Sequence, residues 1–214
     1  APMAFREKMG YNMTYNLVPP GNGNALHMHQ SIEIFIALDG RWEIAWGMQG
    51  EHTVVLEPWD MVMVPARLCH SYKNIEEQTA QNIMTILPGR SWIAWAPNVV
   101  KEARSYGAEC DDNGMLQKYA HLVASTNTKD LASAADAVQW MDMGPDDMAG
   151  NVFRFKEGRP LTCQMQSEEK DGETPFIEMF WKTLQCEACT RLPRKAGVDL
   201  LLVVLEGSLL VQNE

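Results

Sequence analysis

Four of the chain's five histidines lie between Gly21 and Asn74, and three of them combine with one acidic residue in a pattern that few folds accommodate. The residues are His27-Met28-His29-Gln30-Ser31-Ile32-Glu33, followed by Pro65-Ala66-Arg67-Leu68-Cys69-His70. Side chains alternate across a β-strand with period two, so His27 and His29 share one face of a strand drawn through this stretch. Glu33, four residues beyond His29, keeps that parity. His70 arrives from a later strand and completes a set of three imidazoles and one carboxylate. Such a set suits a first-row divalent metal ion with one or two positions left for water or substrate.

The frame around these residues is equally regular. Gly21, His27, His29, Glu33 and Gly40 satisfy G-x5-H-x-H-x3-E-x6-G, and Pro65, His70 and Asn74 fall in register with G-x5-P-x-G-x2-H-x3-N. Trp59 and Arg67 stand where the second pattern has glycine. The two patterns resemble the paired motifs of the cupin superfamily. That resemblance implies an all-β fold, the cupin jelly roll or double-stranded β-helix, and implies His27, His29, Glu33 and His70 as the ligands of one metal ion. It also implies a homodimer. The two departures leave the ligands untouched and bear on the turn before His70. Either Arg67 adopts a backbone angle unusual for a residue with a side chain, or the turn differs.

Composition narrows the function classes. A chain of 214 residues with 46% hydrophobic content and seven tryptophans can bury a substantial core. Its net charge of −10 disfavours nucleic acid and anionic membrane as partners, since both call for a basic surface. The longest apolar run, 200–205, is far too short to span a bilayer. Five cysteines in no framework fit a reducing compartment, so the cytoplasm is the expected location. The chain opens on Ala1 without an initiator Met, and its N-terminus is expected to be processed or cut.

Read in order, short strands are expected at 5–18, 31–38, 41–46, 53–56, 61–64, 70–74 and 82–87, separated by Gly, Pro and Asp turns. Trp42, Ile44 and Trp46 alternate onto one face. After Gly89 the composition changes. A helix is expected over 97–106 with Gly107 as its stop, and a second over 130–141 ended by a loop at 144–147. Strand character returns from about 151, at 176–181, 184–190 and 200–205. The organisation expected is a metal-binding cupin domain at 1–90, a helical connector at 91–150 and a second β unit at 151–214.

The second unit resembles a degenerate repeat of the first, which makes the chain look like a bicupin. Leu205-Glu206-Gly207 matches Leu38-Asp39-Gly40, and at that offset Arg194, Ala196 and Leu200 replace the first two histidines and the glutamate. No comparable metal site forms there. The repeat ends at Glu214 with nothing matching 59–74, so the polypeptide is expected to continue past this point.

Other residues are weighed against plainer roles. Parity places Phe35 and Ala37 with Glu33, and Tyr72 and Asn74 with His70, so Tyr72 is a candidate to orient substrate and equally an ordinary packed aromatic. Glu33 is a candidate catalytic base, a role that needs a raised pKa in a dry pocket. Trp42 and Trp46 read as core, Cys69 as buried packing, Arg67 as a surface cation beside the centre, and His52 as an unpartnered hairpin residue. Cys186 and Cys189 form a lone C-x2-C whose sulfurs face opposite sides of a strand. The function expected is that of a metal-dependent dioxygenase acting on a small organic molecule, with Fe(II) favoured and Mn(II), Ni(II) or Zn(II) open. The alternatives are an oxygen-independent lyase, isomerase or decarboxylase, and a non-catalytic binding protein.

Overall fold

The computed structural model describes residues 11–88, 93–110, 116–117, 141–157, 161–164 and 176–179. Eight strands come first: β1 (Tyr11–Val18), β2 (His27–Met28), β3 (Glu33–Ala37), β4 (Trp42–Trp46), β5 (His52–Leu56), β6 (Met61–Val64), β7 (His70–Asn74) and β8 (Gln81–Pro88). They are followed by β9 (Ala94–Trp95), helix α1 (Pro97–Ser105), β10 (Glu109–Cys110), β11 (Leu116–Gln117), helix α2 (Pro145–Ala149) and β12 (Val152–Phe153). A 3-10 turn at Phe155–Glu157 and the strands β13 (Leu161–Gln164) and β14 (Phe176–Met179) complete the described elements. None of the described helices is long and apolar enough to cross a membrane.

Two five-stranded antiparallel sheets, β1-β8-β3-β6-β12 and β5-β4-β7-β2-β9, build the jelly roll that the strand pattern predicts. Between them lies one core. Phe35, Ala37, Val62, Val64 and Ile83 of the first sheet meet Trp42, Ile44, Trp46 and Leu56 of the second. The alternation in β4 is realised as expected, with Trp42, Ile44 and Trp46 buried and the residues between them only partly covered. Full burial of such a side chain contributes about 3 kcal/mol. Each indole N–H is also satisfied, Trp42 Nε1 donating to Asp39 O at 2.8 Å and Trp46 Nε1 to Met143 O at 2.9 Å.

The strand β3 is buried on both sides, so no alternation is visible in its sequence. Its other face, with Ile34 and Ile36, packs in a second cluster with Met61, Met84 and Ile86. At β1 the same face continues into Met13, Tyr15 and Leu17, which are exposed.

Helix α1 begins on Pro97, whose fixed φ and missing N–H suit a first helical position, and it ends before Gly107 at φ 75°. Tyr106, at its C-terminal end, is exposed. The loop expected at 144–147 is a short helix. Pro145 opens it and Asp146 and Asp147 occupy its first turn, where the helix dipole favours acidic side chains.

Residues 141–157, spread in the sequence reading over the connector and the start of the second β unit, lie against the first unit. Met141 bridges Leu68, Trp46 bonds to Met143, and Val152–Phe153 pairs with Met61–Val62 as the outermost strand of the first sheet. Asp60, 3% exposed, holds this segment in place through Arg154 Nη1 at 2.6 Å and Phe155 N at 2.9 Å. The expected strands at 184–190 and 200–205, all but the last residue of the helix expected over 130–141, and the Cys186/Cys189 pair lie outside the described residues.

Candidate metal centre

The four residues singled out by spacing converge, though by a different route from simple strand parity. His27 lies in β2 of the second sheet, and that strand ends at Met28, so His29 sits beyond it. The chain then crosses to the first sheet, where Glu33 is the first residue of β3. His70 opens β7 and pairs directly with His27. The centre is therefore assembled at a corner where the chain changes sheets. All four side chains are buried, from 1% exposure at His70 to 8% at Glu33.

Each ring is anchored by a carbonyl two residues away: His27 Nδ1 to Ala25 O at 2.9 Å, His29 Nδ1 to Ser31 O at 2.7 Å, and His70 Nδ1 to Leu68 O at 2.7 Å. A carbonyl only accepts, so Nδ1 carries the hydrogen in all three rings, and in a neutral ring Nε2 presents its lone pair. For His29 and His70 that atom lies 3.0 Å from Glu33 Oε2, which is another acceptor. Two acceptors this close need positive charge between them, either a proton on the imidazole or a shared cation. Carbonyl anchoring of this kind is also what orients metal-ligating histidines.

The ligand atoms of the four residues all lie within 4.8 Å of one another. A first-row ion bound at about 2.1 Å holds its donors up to about 4.2 Å apart, so shifts well below the length of one bond close the set around an ion. Nitrogen and oxygen donors without thiolate suit Fe(II), Mn(II), Ni(II) and Zn(II) alike. The residues present fit a divalent metal ion.

Electrostatics agree with a ligand role. Burial, reinforced by the neighbouring His70, pushes the His27 pKa from 6.5 down to about 3, so this ring stays neutral as a ligand must. For Glu33 burial pulls upward, but the hydrogen bonds with His29 and His70 outweigh it and hold the carboxyl at about 2. A catalytic base would need the opposite shift. The downward direction is the one that an ionised ligand requires.

Tyr72 faces the interior as parity predicts, its ring 5.6 Å from Phe35 and 5.8 Å from Trp42, and Phe35 in turn lies 5.7 Å from the His70 ring. Burial, with Glu33 nearby, raises the Tyr72 pKa and keeps the phenol protonated. Cys69 is buried packing, its thiol pushed up to about 12 by burial. His52 is not unpartnered: it sits in β5 opposite Trp46, the two rings 5.6 Å apart. Arg67 and Trp59 both adopt left-handed backbone conformations, at φ 67° and 72°. The turn before His70 thus keeps the geometry that glycine would give, with Arg67 N donating to His29 O at 2.8 Å.

One residue beside the centre escapes sequence reading. Trp95 pairs with His27 across β9 and β2, and the two ring centroids are 5.6 Å apart. Because β9 is only two residues long, it leaves no alternation to detect. The pairings Trp95–His27, His27–His70, His70–Trp46 and Trp46–His52 form one continuous row across the second sheet.

A family model described as Cupin domain matches residues 15–86. That stretch is less than half of the chain, contains all four residues of the centre and is similar to a cupin domain. No curated protein gives a significant match to the chain. Solved structures to which part of the chain is similar include a cupin 2 domain-containing protein from Halorhodospira halophila, 18% identical over 41% of this chain and 58% of that one, with a TM-score of 0.38. Vicilin from hazelnut, Corylus avellana, is 16% identical over 40% of this chain and 26% of its own, with a TM-score of 0.36. Salicylate 1,2-dioxygenase from Pseudoaminobacter salicylatoxidans is 16% identical over 37% of this chain and 20% of its own, with a TM-score of 0.32. The chain thus spans between a fifth and three-fifths of the length of these three proteins.

Proposed function

We propose that this chain is a metal-dependent enzyme acting on a small organic molecule, with an Fe(II) dioxygenase as the leading reading. The observation that carries it is the set of four buried donors, three oriented imidazoles and one carboxylate, converging on a point. Four ligands leave up to two positions of an octahedron for exchangeable groups, which a purely structural site does not need. When bound, the ion supplies Lewis-acid polarisation of a coordinated substrate oxygen and, if it is iron(II), one-electron chemistry with dioxygen.

The chain's own residues do the rest. His27, His29 and His70 are pre-oriented by their carbonyl partners and lose little freedom on binding. Glu33 stays ionised and offsets one of the two positive charges. Phe35 and Trp46 are buried beside His70, with Trp42 further along the interior against Tyr72, and they make the surroundings of the centre apolar. Tyr72, held as a neutral phenol, can donate its proton in a hydrogen bond to a substrate oxygen.

Oxygen uptake by Fe(II)-loaded protein, measured over a panel of small hydroxylated and keto acids, tests this reading. Substrate-dependent uptake that disappears in His70→Ala is the expected result. Turnover supported by Zn(II) or Mn(II) without oxygen would replace it with a lyase, isomerase or decarboxylase. Metal uptake without turnover of any substrate would make the protein a binding module. Tyr72→Phe is expected to lower kcat by about tenfold or more while metal content stays unchanged. Unchanged kinetics would return Tyr72 to simple packing.

A further inference from the structure

The surroundings of the centre are asymmetric. On the His70 side the neighbours are Phe35 and, one residue pair along the row, Trp46, both fully buried. On the His27 side the neighbour is Trp95, which is only half-buried. Its backbone is fixed more tightly than its place at the rim of the sheet implies. Trp95 pairs with His27, Ala94 pairs with Met28 and is itself buried, and Ala96 N donates to Leu26 O at 3.0 Å. Directly paired residues share a face of the sheet, so the indole is held on the interior side beside the ligand ring, tilted 50° to it. A partly exposed indole beside His27, on a backbone held by this pairing, puts apolar aromatic surface on that side of the centre.

We propose that Trp95 is the substrate-facing wall of the centre and selects planar, conjugated ligands by stacking on them as they coordinate beside His27. The inference rests on the metal-centre reading and adds to it a residue and a substrate class. A saturated ligand with the same donor atoms would meet the ion equally well and gain nothing from the indole face. Aromatic contacts of this kind discriminate by about two- to tenfold in affinity.

The test uses two chelators with the same nitrogen and carboxylate donors, picolinate (planar) and pipecolate (saturated), titrated into Ni(II)-loaded protein by calorimetry. Metal content is measured first on every sample. Wild type and two variants are compared. Trp95→Leu keeps apolar bulk without the flat face, and Trp95→Phe keeps an aromatic ring. Picolinate binding is expected to weaken about two- to tenfold in Trp95→Leu and to be largely retained in Trp95→Phe, while pipecolate binding changes by less than about twofold in both. A second readout is tryptophan fluorescence on Co(II) titration, where Trp95→Phe is expected to lose part of the metal-induced quenching seen in wild type. If metal is taken up and Trp95→Leu affects both chelators equally or neither, the wall role is wrong while the metal centre stands. If wild type takes up no metal, the centre falls and the inference with it.

Discussion

His27 shows how a single buried ring ties stability to pH. Its pKa is about 3 in the folded chain against 6.5 in the unfolded one, so in the interval between them the unfolded state binds the extra proton. The stabilisation is complete above pH 6.5 and is lost as pH falls toward 3. Glu33 acts in the same direction over a lower range, its contribution present above 4.5 and lost toward 2. Thermal melts of chelator-treated protein are therefore expected to show Tm falling as pH drops from 6.5 to 4.5, and a His27→Gln variant, which cannot titrate, is expected to flatten that slope. Parallel curves for the two proteins would contradict the assignment. Acid also opposes metal binding, because the ligands must give up their protons. Loss of an orienting partner alone costs metal sites roughly 10- to 100-fold in affinity, so Glu33→Gln, which removes a ligand charge, is expected to cost at least that much by direct titration.

At the scale of elements, the turns carry the departures from the motif. Trp59 and Arg67 occupy left-handed conformations that disfavour a side chain by about 1–2 kcal/mol, offset in part by the greater chain entropy a glycine loses on folding. Arg67→Gly is accordingly expected to raise stability by up to about 1 kcal/mol, which reads as a Tm increase of roughly 2–4 °C. A lower Tm would show that contacts of the Arg67 side chain outweigh the backbone cost. The clasp at Asp60 is a second test. Its carboxylate is buried and Arg154 is about one-third exposed, so the loss in Arg154→Ala is expected to be moderate, about 1–3 kcal/mol in denaturant unfolding. A negligible effect would mean that β12 docks by its apolar contacts alone. Strands β4, β6 and β7 were legible because alternation or firm turn residues bounded them, as was the grouping of His27, His29, Glu33 and His70 because their spacing is regular. The break after Met28 was not legible, since no residue there signals a change of sheet. Nor was the docking of 141–157, which depends on Trp46, Leu68 and Asp60, partners far away in sequence.

At the scale of the whole molecule, a bound ion would tie together the two sheets that its ligands come from: His27 and His70 in one, Glu33 in the other. An ion that binds only the folded chain stabilises it by about 2.7 kcal/mol at a free concentration 100 times its Kd. Metal is thus expected to raise the midpoint of global unfolding, not merely to order one loop. The residue-level and element-level features serve this convergence: carbonyl-anchored rings, a strained turn delivering His70, and a core that excludes water. The most direct test is metal analysis of protein loaded with Fe(II), Ni(II) or Zn(II) and desalted, combined with X-ray absorption at the metal edge. One tightly held divalent ion per chain is expected, ligated by three imidazoles and one carboxylate, with both signals abolished in a His29→Ala/His70→Ala double variant. Retention of the ion in that variant, or a wild-type ion without histidine scattering, would contradict that expectation.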